Sequence, residues 1–117
     1  VRPTENRRMP ALYEFEDAQI RTLEQQLRAY LRGEVSHEAV ARAAWSVMDA
    51  WNALPEEYRK GEPEAHEDVL WHAVWTTQHL ADAEHMSDAS GVAQLHECLH
   101  LLESRGPLPP HYRAQRP

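Results

Sequence analysis

Residues 11–38 read ALYEFEDAQIRTLEQQLRAYLRGEVSHE, and this stretch sets the fold class. At 100° per residue, Leu12, Ile20, Leu23, Leu27, Tyr30 and Leu31 fall on one side of a helix. Asp17 precedes Arg21, and Glu24 precedes Arg28, by one turn with the acid first, the favourable order for the helix dipole. Gly33 supplies the conformational freedom a helix end needs, and Ser36 is placed to cap the next helix. The stretch therefore predicts helix over 11–32, a tight turn, and a second helix from His37.

Outward from there, the helical pattern repeats. The second helix runs to Leu54, stopped by Pro55, with Val40, Ala44, Val47, Met48, Trp51 and Leu54 inward. A polar loop over 55–62 leads to Pro63, which suits a first helical turn followed by Glu64, Glu67 and Asp68. This third helix is expected to reach Met86, burying Val69, Leu70, Ala73, Val74, Leu80 and Ala81. After a break at 87–91, a fourth helix ends near Ser104 with Val92, Leu95, Cys98, Leu99 and Leu102 inward. No alternating β-branched run or Asn-Gly hairpin signal interrupts the series. The expectation is an all-α, compact up-down bundle of four amphipathic helices. The single helical domain spans 11–104. A basic tail over 1–10 precedes it, and a proline-rich basic tail over 105–117, expected to be extended, follows it.

Charge divides along the same boundaries. The chain of 117 residues carries a formal −7. Arg2, Arg7 and Arg8 stand against Glu5 in the first tail, and Arg105, Arg113 and Arg116 lie in the last. The domain between them is strongly acidic, which disfavours direct contact with nucleic acid and favours a basic protein surface. The alternative is that the charge serves solubility alone. No apolar run approaches a membrane span, and no apolar stretch follows the arginines of 1–10, so neither a membrane partner nor a secretory signal is expected. With one cysteine, Cys98, the expected location is a reducing cytoplasm.

Three constellations bear on chemistry. His96-Glu97-Cys98-Leu99-His100 satisfies HExxH, in which two histidines one turn apart ligate zinc and the glutamate works on bound water. The surroundings lack a third ligand at a known spacing, since Glu103 stands where a glycine is needed and the next histidine is His111. His96 and His100 also point away from the apolar stripe of their helix. They are the metal ligands only under the alternative reading of a metal-dependent hydrolase. Glu97-x-x-His100 and Asp82-x-x-His85 resemble halves of a di-metal site, but sit off the core faces. His72 and His79 stand two turns, about 10 Å, apart, too far to share one ion. No catalytic or cofactor site is assigned, and an enzyme is not expected.

The remaining signal is a surface. Trp71, Trp75 and Gln78 lie more than about 90° from the core side centred on Ala73, Thr77 and Leu80, and Trp45 is similarly displaced on its own helix. Glu56, Glu57, Glu62, Glu64, Glu67 and Asp68 immediately precede the first two tryptophans. Together these eight residues, Glu56 to Trp75, form the expected partner-binding face, with acids steering a cationic protein and Trp71 and Trp75 anchoring it. Two alternatives stand beside it: the rings fold over the bundle edge or under the proline tail, or they form the seam of a homodimer.

The stretch Leu27-Arg-Ala-Tyr30-Leu31-Arg-Gly33-Glu34-Val35-Ser36-His-Glu38 also resembles the helix and Leu-x-Gly-x-Ile-Ser opening of bacterial immunity proteins of the colicin D immunity type, with Val35 in place of the isoleucine. That resemblance implies an acidic helical bundle that binds a nuclease toxin and covers its basic nucleic-acid site. On it, the function expected is an acidic binding protein that neutralises a basic partner, the acids standing in for phosphates.

Overall fold

The computed structural model describes residues 10–112 and 114–117. Helix α1 spans Pro10–Leu31, α2 His37–Asn52, α3 Ala65–His79, α4 Ala83–Ser87 and α5 Ala89–Ser104, with a short 3-10 turn at Glu56–Arg59. The described residues contain no strand, and the all-α bundle expected from the periodicity is what they form. Four of the helices are long. α1 packs on α2, α2 on α3, α3 on α5, and α5 back on α1, closing a ring around the core. None is long and apolar enough to cross a membrane. The arginine-bearing segment 1–9 lies outside the described residues.

Local chemistry sets the boundaries. Gly33 at φ 76° lets its N–H reach the Tyr30 carbonyl at 2.9 Å while Glu34 N–H reaches Ala29 at 2.8 Å, the paired bonds that close a helix on a left-handed residue. Ser36 Oγ then accepts from Ala39 N–H at 3.1 Å and opens α2. α2 ends at Asn52, two residues before the expected Leu54, because its last turn tightens: Leu54 N–H bonds to Trp51, three residues back. α3 begins at Ala65 with Glu64 as its cap residue, so Pro63 precedes the helix rather than opening it.

The expected third helix is in fact two. α3 stops at His79, and Asp82 restarts the chain by accepting from His85 N–H at 2.8 Å. Asp88 repeats the device six residues later, accepting from Gly91 N–H at 2.7 Å to open α5. Side-chain acceptors that satisfy the first free N–H groups make each restart favourable. Gly91 is required there, because a Cβ would lie 1.7 Å from the His85 carbonyl oxygen. Leu80 and Met86 still reach the core, whereas Ala81 is exposed.

The core holds Ile20, Leu23 and Leu27 from α1, Val40, Ala44, Val47 and Trp51 from α2, and Leu95, Cys98 and Leu102 from α5. α3 differs in kind. It buries Glu67, Val69, Leu70, Trp71, Ala73, Val74 and Thr77, almost its full circumference, because it meets α2, α5 and α1 and the proline-containing segment covers its remaining side. That segment turns at Arg105 (φ 63°) and crosses the start of α3 at Gly106, where a Cβ would come within 2.8 Å of the Ala65 carbonyl oxygen.

Candidate functional site

The eight residues expected at one exposed face separate into three groups. Glu56 and Glu57 on the 3-10 turn, Glu62 in the following loop and Glu64 at the cap of α3 are exposed. Asp68 and Trp75 are half-buried. Glu67 and Trp71 are sealed inside, at 0% and 1% exposure, which corrects the expectation that both face a partner. For Glu67 the cause lies 49 residues away in sequence, at Arg116. Trp75 lies under the proline-containing segment, the alternative the sequence left open, while Trp71 packs against Trp51 and Glu67.

Arg116 is the centre of that closure. Its Nε and Nη2 donate to the two oxygens of Glu67 at 2.5 and 2.9 Å, and Nη1 donates to the carbonyls of Arg59 and Gly61, each at 2.8 Å. The guanidinium carbon stands 5.1 Å from the Trp51 ring centre. Trp71 Nε1 donates to Glu67 at 2.8 Å, and its ring meets Trp51 edge-on at 5.2 Å. Glu16, fully buried on α1, is a further hydrogen-bonding neighbour of Glu67. His66 lies 2.6 Å from Glu16, with Tyr13 tilted against its ring at 5.0 Å. Burial by itself pushes the Glu67 carboxyl up, but hydrogen bonds from Arg116, Glu16 and Trp71 outweigh it and hold the group down at about 2. Asp68 is pushed up, first by burial and then by the Glu67 charge.

Two further bonds hold the segment. Trp75 Nε1 donates to the Gln115 carbonyl at 2.6 Å, and the Tyr112 hydroxyl donates to Glu97 with its ring 4.9 Å from that of His72. Between these points the segment stands off α3, leaving a cleft of about 820 Å3. Trp75, Tyr112, Leu108 and Pro110 wall it, and among the described residues Asp68 is its one carboxylate.

The HExxH residues lie elsewhere. His96 and His100 are exposed on α5, and Glu97 is engaged by Tyr112. Among the described residues no three His, Cys, Asp or Glu side chains converge as a metal site requires. Asp82 and His85 form an exposed pair at 2.7 Å, and the hydrogen bond that the His85 ring donates to Asp82 raises His85 above its ordinary value. Cys98 is buried, and that burial pushes its thiol up to about 11. Trp45, placed off its helix's core face by the sequence, is 53% exposed.

The sequence reading missed Glu16, Tyr112 and Arg116. Glu16 carried a signal: it sits one turn from both Leu12 and Ile20, on the apolar stripe itself, where a carboxylate demands a partner. Searches of protein families, characterised proteins and solved structures find no match to this chain.

Proposed function

We propose that this chain is a binding protein for a basic protein partner, engaged through the loop 56–64 and the adjoining cleft. One observation carries the reading. Glu56, Glu57, Glu62 and Glu64 are all exposed on a nine-residue stretch, and the Arg116 guanidinium pins the backbone of that stretch at Arg59 and Gly61. Acids on a loop fixed in this way meet a cationic surface with less ordering cost than acids on a free loop. Asp68 and Trp75 extend the face into the cleft, while Glu67 and Trp71 support it from inside.

The finer reading is a toxin-immunity factor acting in a reducing cytoplasm. Its exposed carboxylates take the positions of phosphates on a nuclease and occlude the basic site, and the action is binding rather than catalysis. The acidity of the domain and the resemblance of residues 27–38 support this version.

Affinity capture from host lysate tests it, using the wild-type chain beside E56K/E57K/E62K/E64K, whose changes all fall on exposed side chains. The wild type is expected to retain one basic protein at equal stoichiometry and release it in roughly 0.5 M salt, where exposed charges are screened. The reversed variant should retain none. Equal retention by both chains, or retention of an acidic protein, refutes the proposal.

A further inference from the structure

The acceptors around Arg116 belong wholly to other parts of the fold. Glu67 comes from α3, Trp51 from α2, and the two carbonyls from the 3-10 turn and its loop. Trp71 and Glu16 fix the carboxylate in place. The described residues of the segment bearing Arg116 contain no helix after Ser104, and the segment spans the cleft over α3, tied down at Tyr112, Gln115 and Arg116 itself. The arginine head is thus a ligand on a tether, and every acceptor it meets comes from outside the tether.

We propose that the pocket formed by Glu67, Trp51 and the carbonyls of Arg59 and Gly61 is a guanidinium-binding site, filled in cis by Arg116, that accepts a peptidyl arginine from another molecule when Arg116 is withdrawn. The geometry selects arginine over lysine. Four acceptor contacts diverge around Nε, Nη1 and Nη2, a planar array that a point-like ammonium cannot span, and the Trp51 face suits a flat cation. The tether holds Arg116 at an effective concentration on the order of millimolar, so free arginine side chains compete poorly with the intact chain. The inference is independent of the acidic-loop reading, because its test needs no partner.

The test is R116A, melted with and without N-acetyl-arginine amide or N-acetyl-lysine amide. R116A is expected to melt below the wild type. The arginine amide at ten times its Kd should raise the midpoint by about 5 °C, while the lysine amide leaves it in place. The wild type, its site already filled, should respond to neither, and E67Q/R116A should lose the arginine response. If R116A does not fold alone, the arginine amide should restore its helical circular dichroism, and failure to restore it overturns the proposal. R116A melting like the wild type, equal shifts from both amides, or an arginine response that survives in E67Q/R116A each overturns it as well.

Discussion

Glu67→Gln is expected to flatten the acid side of this protein's stability curve. In the folded chain the Glu67 carboxyl ionises at about 2, against an ordinary 4.5. A carboxyl depressed in this way adds stability that is complete above its unfolded value and is lost as the pH falls through the folded one. At about 1.4 kcal/mol per pH unit, the gap corresponds to roughly 3 kcal/mol, a sizeable share of the roughly 5–15 kcal/mol that holds a domain folded. Glu67 is fully enclosed, so solvent screening discounts this little. Urea unfolding of both chains at steps from pH 7 to pH 2 measures it. The stability difference between wild type and E67Q should shrink by about 3 kcal/mol across that range, most steeply between pH 4.5 and pH 2. A difference that stays constant down to pH 2 refutes the buried Glu67–Arg116 pair as the structure draws it.

Three other outcomes follow from the packing. Trp71→Phe keeps most of the buried ring but removes the Nε1 donor to a charged carboxylate, and should cost about 1.5–3 kcal/mol in urea unfolding, whereas Trp45→Ser on the exposed face of α2 should change stability by no more than about 0.5 kcal/mol. Gly91→Ala should lower the melting temperature by the equivalent of about 1–3 kcal/mol despite alanine's better helix propensity, because its Cβ meets the His85 carbonyl. In NMR titrations His85 should hold its proton to higher pH than an ordinary histidine and return toward 6.5 in D82N, which keeps a helix-capping side chain but removes the charge.

Much of the fold is legible because it is written locally. The stripe of α1, the Gly33 stop and the Ser36 cap each depend on residues within a turn or two, and all three stand where the sequence puts them. The interruption after His79 was harder to read. Leu80 and Ala81 continue the apolar, helix-favouring run, and the capping role of Asp82 shows only once the chain has turned to bring His85 N–H to it. The acidic loop was readable as composition, and Glu56, Glu57, Glu62 and Glu64 are exposed as a polar loop should be.

By itself, then, the sequence determined the helical segments apart from the break after His79, the Gly33 stop, the Ser36 cap and the inner face of α1, α2 and α5, since helical period and local capping are properties of neighbouring residues. It also held a hint it did not resolve: α3 is apolar around its circumference at Val69, Leu70, Trp71, Ala73, Val74 and Trp75, the mark of a helix enclosed on every side. Only the tertiary structure decided which side of α3 is covered last, and by what. That depended on a segment nearly fifty residues downstream laying Arg116 against Glu67, and a helical wheel carries no information about contacts made at that separation.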